Sequence, residues 1–568
     1  MEFLLNKPGK KIILLGNEAI VRGALEEGVN FVSTYPGTPA SEIGDTFFKI
    51  AKKVGVYFEY STNEKVALEA GIGASFSGLK TLVAMKNFGL NVCLDSLFPL
   101  TYTGTKGPMV IVVADDPSCH SSAQSEENSR GLVLATHIPT LEPSDPQECK
   151  DFTKLAFQIS EKFKIPVIIR TTTRVAHQKM PVKLNPIRAT RHGGVVGEFV
   201  KDPKKFVTLP PRVLEMKKEL LTKIEKIKEF SEKSKTNFVD GKTSRPIGII
   251  TSGISYLYVR EALQELNLYP VKSREAGISP KAKLFNRVNL PVLKLGFFYP
   301  LPEKKIRNFI KNLKKVLVVE ELEPYLEKEI ERLAKEANCK LKVVGKQLIP
   351  EVGELKSEIV TLAIAKFTNA KYPEGKPSDS YGAGQIPFPK RFPQLCPCCP
   401  YWLVISAIKK AVDLKKVIFG GEIGCYMLFG NSPINLQDYL SCMGSSVGIA
   451  HGIKKATGQK IITFVGDSSF FHAGIPALIN TVFNKSNPLI IILENRTTAM
   501  TGHQPHPGAP VIPNGIKIEE IVRACGVKNL KAIDPINQKE FIATIKEFLN
   551  KEEVSVIIAQ RPCIQIKK

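Results

Sequence analysis

The sequence lacks any uninterrupted apolar stretch of the ~18–20 residues that a helix needs to cross a bilayer. Its opening, MEFLLNKPGKKIILLGN, lacks a signal-peptide layout, because Pro8 and the lysine pair after it break a short apolar run. No membrane association is therefore expected, and a cytoplasmic location is. Short tandem repeats are also missing, which excludes a solenoid. Acidic residues are the scarce charge: 55 Asp and Glu stand against 79 Lys and Arg, a net +24. Such an excess admits nucleic acid, an acidic protein partner or a Lys-rich heat-adapted surface. The lysines are scattered among acids and no aromatic-and-basic motif accompanies them, so nucleic-acid binding is the disfavoured reading and no nucleic-acid partner is expected. The 11 cysteines, in a chain read as cytoplasmic, point to thiol or metal chemistry rather than a disulfide framework.

What is present is ordinary globular protein. With 43% apolar and 24% charged residues, a 568-residue chain can bury several cores. Residues 1–200 alternate strand and helix: Lys11–Leu15, Val54–Tyr60, Thr81–Met85, Pro108–Ala114 and Ile165–Ile169 read as strands, Asn63–Gly78 and Phe152–Glu161 as helices. That order predicts a parallel α/β sheet. Residues 201–245 form a Lys-rich connector with an amphipathic helix, Val213–Phe230, whose apolar positions are Leu214, Leu220, Leu221, Ile224 and Ile227. A second α/β unit spans 246–370, and its strand KVLVVEE ends in Glu320 and Glu321, where such folds host ligands. A Pro/Gly/Ser-rich linker, 371–393, precedes a third α/β unit, 394–568. The fold class is α/β, with three doubly wound parallel-sheet domains.

Within the third unit, the strand IITFV runs into Gly466-Asp467-Ser468, and the next apolar strand, IIIL, into Glu494-Asn495-Arg496-Thr497. The ends of successive parallel strands lie side by side, so Asp467 and Asn495 become neighbouring oxygen ligands. Gly466 is expected to let the backbone approach a phosphate, and the next helix to aim its N–H groups at it. A Mg²⁺ ion would take the Asp467 carboxylate, the Asn495 amide oxygen and the Thr497 carbonyl, alongside phosphate oxygens. Gly466-Asp467, then 27 residues, then Asn495 resembles the thiamine-diphosphate fingerprint of transketolase-like enzymes, and MTGHQ, with Met500 and Thr501, resembles the MTGGQ of 2-oxoacid:ferredoxin oxidoreductases. Such a cofactor also needs a carboxylate on its aminopyrimidine ring. Glu64 and Glu69 are the candidates; about 500° of helix separates them, so only one can serve. Glu64, at the strand-to-helix junction, is preferred.

These motifs belong to a longer set: STYPGTPASEI, STNEKVALEAGIGASF, MKNFGLNV, ADDPSCHSSAQSEENSR, the cysteines at 396–399, GEIGCYML with Gly424, CMGSSVGIAHG, and GDSSFFHAGIPALINTVFN with ENRTTAMTGHQPHPG. Together they resemble the alpha subunits of indolepyruvate ferredoxin oxidoreductases. The resemblance implies a pyrimidine-binding domain, a transketolase C-terminal-like domain and a diphosphate-binding domain. It implies oxidative decarboxylation of an arylpyruvate such as indolepyruvate, with thiamine diphosphate and Mg²⁺ as cofactors, coenzyme A as acyl acceptor and ferredoxin as electron acceptor. It also implies a smaller gamma-type subunit in a hetero-oligomer with two copies of this chain. By analogy Thr38 meets the substrate carboxylate or keto group, and Arg130 assists. His120, His472, His503 and His506 are candidate proton shuttles or structural histidines.

The same resemblance implies one [4Fe–4S] cluster on Cys396, Cys399, Cys425 and Cys563, with structural zinc or free thiols as alternatives. Cys398, where the family has a small residue, makes the ligand choice between neighbours ambiguous. Cys93, Cys119, Cys149, Cys339 and Cys525 read as buried small apolar residues. The family's ferredoxin-like tail, with two CxxCxxCxxxCP runs, has no counterpart after Cys563. Electrons are then expected to pass to a separate ferredoxin or to a tail on another subunit; without iron, a non-oxidative thiamine-dependent 2-oxoacid decarboxylase is the alternative. The surplus of lysine would steer an acidic ferredoxin, so ferredoxin-linked turnover is expected to fall steeply as salt is raised. A rate that ignores ionic strength would remove that use of the charge.

Overall fold

The computed structural model describes residues 4–188, 197–241, 246–268, 290–372, 393–509 and 515–566. Apart from residues 371, 372 and 393, the expected linker lies outside the described residues. The chain divides into two compact units, one of residues 1–59 and 64–387, the other of 60–63 and 388–568. Among the described residues no helix is long and apolar enough to cross a membrane.

The first unit is built on two sheets. Its seven-stranded sheet runs in the order Phe297–Tyr299, Thr140–Leu141, Val167–Thr172, Met109–Asp115, Thr81–Lys86, Phe31–Thr34, Tyr57–Tyr60. The central segments MVIVVAD and VIIRTT are buried throughout, as β-branched runs are when helices cover both faces of a parallel sheet. Helix Pro146–Phe163 starts where Asp145 accepts the Glu148 N–H at 2.8 Å and Pro146 fills the first position, which needs no donor. Strand Phe31–Thr34 was not expected from the sequence, being too short to show a period. Lys11–Leu15 does not join the parallel sheet as expected. It pairs antiparallel with Lys179–Lys183, and the alternation that buries Ile12 and Leu14 leaves Ile13 69% exposed.

The second sheet, ordered Lys342–Val344, Lys315–Val319, Ile247–Ser252, Val292–Leu295, Phe238–Asp240, carries the expected middle α/β unit. It is tied to the first in two ways. Strand Phe297–Tyr299, which follows Val292–Leu295 in sequence, crosses over to pair antiparallel with Thr140–Leu141 at the edge of the first sheet. The connector helix, observed over Arg212–Lys233, buries Leu220, Ile224 and Ile227 in the first core. Leu214 and Leu221, expected on that face, are 67% and 45% exposed, because the packed stripe follows Met216, Leu220, Ile224, Ile227 and Ser231.

Buried charge closes the seam. Arg130 donates to Glu142 at 2.8 and 2.6 Å, to Glu320 at 2.6 Å and to Ser252 Oγ at 2.7 Å, while Arg170 reaches Asp115 and Glu142. Arg130 was expected beside substrate; its guanidinium is committed here instead, on carboxylates from both sheets. Burial alone would raise the Glu142 carboxyl, but Arg130 and Arg170 outweigh it and hold it at about 2. Glu320 and Glu321, expected at a ligand-hosting end, are likewise buried: Glu320 accepts the Leu326 and Glu327 N–H groups, and Glu321 accepts that of Leu355.

In the second unit a six-stranded sheet, ordered Tyr439–Leu440, Val417–Gly421, Lys460–Gly466, Leu489–Glu494, Ser555–Gln560, Asn529–Ile533, is parallel at every pairing.

Removing one partner from a buried ion network leaves its neighbours uncompensated, at ~3–5 kcal/mol. Arg130→Met should lower the denaturant midpoint of the first unit accordingly, whereas Arg212→Met, on exposed pairs with Glu215 and Glu219, should leave it close to the parent's. Because Glu142 titrates below its ordinary 4.5, its contribution is complete above that pH and is lost as pH falls toward 2. Acid melts of the parent should show this loss, and those of Glu142→Gln should lack it.

Candidate active site

In the second unit, strands Lys460–Gly466 and Leu489–Glu494 pair in parallel with Gly466 opposite Leu493, which brings Asp467 and Asn495 to one end of the sheet. Asp467 is buried. Its Oδ1 accepts the Ser468 N–H at 2.8 Å, and its Oδ2 accepts the Arg496 N–H at 2.7 Å and lies 3.2 Å from His506 Nε2. Asn495 is held from both sides: its amide nitrogen donates to Tyr401 Oη at 2.8 Å, and its amide oxygen accepts the Thr497 N–H at 3.0 Å. Burial lifts the Tyr401 phenol far above its usual range, with Asp467 adding to the effect, so Tyr401 stays neutral. The donor set at this end is carboxylate, amide and carbonyl oxygen, which suits Mg²⁺ and a diphosphate.

The backbone at Gly466 is packed against a ring. A Cβ there would lie 2.9 Å from Tyr426 Cε1, and one at Gly424 2.2 Å from the same atom. Both glycines make room for the Tyr426 ring, whose hydroxyl accepts the Gly466 N–H at 2.8 Å and bonds the Glu422 carboxyl. The helix after Gly466 is interrupted: Asp467–Ser469 leads into a π turn, Phe470–Gly474, before Ile475–Phe483. Buried Ser468 accepts from Thr498 Oγ1 at 3.1 Å. The MTGHQ loop closes on itself through Thr501 Oγ1 to Gln504 Oε1 at 2.6 Å, with Met500 52% exposed.

Sequence reasoning missed Tyr401, Tyr426 and Glu422. Glu422 is buried, its carboxyl pushed up to about 8 by desolvation although the Gly444 N–H pulls the other way, and its position in GEIGC was the available signal. Tyr401, the first helix residue after the CPCC element, gave none.

The four proposed cluster cysteines are neighbours. Burial pushes Cys399 up to about 11, with Cys396 and Cys563 contributing, and Cys425 to about 12, with Cys399, Cys563 and Cys396 contributing. Cys563 also reaches the oxygen-rich strand end: its N–H donates to the Asn495 carbonyl at 3.0 Å, and its Sγ lies 3.7 Å from His503 Nε2. Among the described residues, no three His, Cys, Asp or Glu side chains are arranged as a metal-holding group, for iron or for magnesium. The soft thiols and hard oxygens fit the two metals in kind. Of the cysteines read as buried, Cys93 and Cys149 are, Cys119 and Cys525 are half-buried, and Cys339 is exposed after the helix ending at Ala337.

In the first unit the structure separates the two glutamates. Glu64 is buried at the first position of helix Glu64–Phe76, against Gly89, where a Cβ would meet its Cγ at 2.5 Å. Glu69 is 47% exposed, bonded to Ser96 and paired with Lys65. Thr38 is half-buried, 3.4 Å from Ser41 Oγ. Of the remaining histidines, His120 is exposed beside Glu354 and His472 is buried.

Comparison with known proteins identifies the family. Residues 422–559 match the thiamine pyrophosphate enzyme C-terminal TPP-binding domain, residues 22–234 the thiamine-diphosphate-binding domain of pyruvate flavodoxin/ferredoxin oxidoreductases, and residues 237–368 the indolepyruvate oxidoreductase domain. Fold and matches define a thiamine-diphosphate-type oxidoreductase chain. Indolepyruvate oxidoreductase subunit IorA of Methanothermobacter thermautotrophicus is 42% identical over 99% of this chain and 89% of its own. That of Pyrococcus horikoshii is 41% identical over 99% and 87%. The chain belongs to the indolepyruvate oxidoreductase IorA family. A 2-oxoglutarate synthase subunit KorA of Archaeoglobus fulgidus is similar at 27% identity over 60% of this chain and 96% of its own.

Thiol accessibility can be checked directly. In metal-free protein at pH 8, exposed Cys396, Cys398 and Cys442 should alkylate readily, with Cys399 and Cys425 slower by at least about tenfold, as thiolate fraction governs the rate. Equal labelling, read by peptide mass spectrometry, would contradict the environment described.

Proposed function

We propose that this chain is the catalytic subunit of a 2-oxoacid:ferredoxin oxidoreductase acting on arylpyruvates such as indolepyruvate. The observation that carries the reading is the Asp467–Asn495 pair at adjoining parallel strand ends, in a chain whose IorA relatives match it almost end to end. The net reaction consumes the 2-oxoacid, coenzyme A and two oxidised ferredoxins, and yields acyl-coenzyme A, CO₂, a proton and two reduced ferredoxins. Thiamine diphosphate, when bound, supplies the carbon nucleophile and the electron sink that decarboxylation needs.

This chain's residues would hold and orient. Asp467, Asn495 and the Thr497 carbonyl take Mg²⁺, with Tyr401 fixing the Asn495 amide. Gly424, Gly466 and Ser468 shape the backbone at the diphosphate, and Met500 and Thr501 sit on the loop beside it. Glu64 donates or accepts the pyrimidine proton; its burial, against the exposure of Glu69, supports that choice. Thr38 meets the substrate. Cys396, Cys399, Cys425 and Cys563 carry one [4Fe–4S] cluster that takes electrons singly. A smaller subunit, ferredoxin and a cytoplasmic setting complete the proposal.

The test is anaerobic turnover of a panel of 2-oxoacids by the co-expressed complex with thiamine diphosphate, coenzyme A and ferredoxin. Asp467→Ala should abolish activity and weaken calorimetric binding of Mg²⁺–thiamine diphosphate by at least about a hundredfold. Glu64→Gln should cost 10²–10⁴-fold in kcat, about the worth of a positioned acid–base group, while Glu69→Gln stays within about twofold. The reverse pattern would move the role to Glu69. Absence of iron from active protein, with CO₂ and aldehyde as products, would favour the non-oxidative decarboxylase.

A further inference from the structure

One cation of the first unit is left over by everything described so far. Lys86 ends strand Thr81–Lys86 and is the N-cap of helix Asn87–Thr103, whose start has no side-chain cap. Its ammonium is half-buried, and among the described residues no carboxylate lies within ion-pair distance of it; its contact is the Phe88 ring, 4.4 Å from Nζ. Three acids attract it, Asp116, Glu64 and Glu127, and two of them have bonds elsewhere. Asp116 holds Thr173 Oγ1 at 2.6 Å and the Ser121 N–H at 2.7 Å, and Glu127 holds Asn91 and Ser125. Desolvation accordingly pulls the Lys86 pKa down, against the pull of Asp116, Glu64 and Glu127.

The next residue repeats the pattern independently. Asn87 is 1% exposed, and neither its amide nitrogen nor its amide oxygen has a hydrogen-bond partner. An orphaned buried amide costs ~1–3 kcal/mol. An ammonium without an ion pair, an orphaned amide and an uncapped helix start belong to consecutive residues at one strand end, a combination suited to an anion. The local packing places it among the residues already assigned. Gly37 of the YPGTP loop lacks a Cβ that would lie 2.8 Å from Lys86 Cγ, so this loop, with Thr38 next in line, lies along the lysine stem. Glu64 packs on Gly89, two residues beyond Asn87.

We propose that Lys86, with Asn87, binds the carboxylate of the 2-oxoacid substrate, the role that Arg130 cannot fill from its ion network. This rests on the functional reading above, which already uses the second unit for the diphosphate and leaves the substrate carboxylate as the anion to be met.

The test uses the assembled enzyme under anaerobic conditions with Lys86→Met and, as a polar alternative, Lys86→Gln. Loss of a charge-assisted contact should raise KM for the 2-oxoacid, and Ki for the matching arylacetate, by about ten- to a hundredfold. KM for coenzyme A and affinity for thiamine diphosphate should not change. The melting temperature of Lys86→Met should hold or rise, because a group kept for a ligand is a burden to the free protein. A lower melting temperature with unchanged Ki would mean a structural lysine and overturn the proposal. A raised KM for coenzyme A alone would assign the anion to a coenzyme phosphate and also overturn it. If the parent enzyme turns over no 2-oxoacid, the functional reading fails and takes this one with it; if the parent works and both variants match it, only the Lys86 assignment fails.

Discussion

A single buried guanidinium sets the geometry of the first unit. Arg130 comes from a loop-to-helix junction on one sheet, and its carboxylate partners come from both: Glu142 beside the first sheet's edge strand, Glu320 at the end of a strand of the second. Buried charges of this kind are stable only when every member is in place, so the network acts as a register. Together with the crossover strand and the connector helix it joins the seven-stranded and five-stranded sheets. The ends of Met109–Asp115 and Val167–Thr172 are sealed, through Asp115 and Arg170. Those of Phe31–Thr34 and Thr81–Lys86 stay available to the YPGTP loop, Lys86 and Glu64.

The second unit meets a different demand, that of holding hard and soft ligand groups close together without mixing them. The backbone of Cys563 bonds the carbonyl of Asn495, so the proposed magnesium and iron sites are one hydrogen bond apart. Their side-chain environments nonetheless differ: Asp467 is surrounded by N–H donors, whereas Cys399 and Cys425 pack against the apolar core. Burial there disfavours the thiolate, which is why both thiols titrate above their ordinary value.

Much of this was legible in the sequence, for a physical reason. Parallel strands covered on both faces must be continuous apolar runs, so their ends, where polar residues begin, are marked in the text. The side-by-side placement of Asp467 and Asn495 at one end of the sheet was read that way. Glu64 was preferred over Glu69 from its junction position alone. What could not be read depends on contacts distant in sequence. Arg130 sits in a run of family motif and looked like a substrate ligand; its true partners lie 12 and 190 residues away. That the Tyr426 ring packs on Gly466 and its hydroxyl accepts the Gly466 N–H was likewise unreadable. Leu214 and Leu221 fit an apolar helix face loosely, and only the helix's actual rotation on the core excluded them.

The crossover strand Phe297–Tyr299 has a consequence for how the chain is made. It covers the Thr140–Leu141 edge of the first sheet, yet it leaves the ribosome long after that edge does. At roughly 5–20 residues per second the edge stays open for about 8–30 seconds, a template for pairing with other chains. The Arg130 network is also incomplete in that interval, since Glu320 is made later still. Slow codons between Leu141 and Glu320 would lengthen the time in which nascent chains can pair with one another.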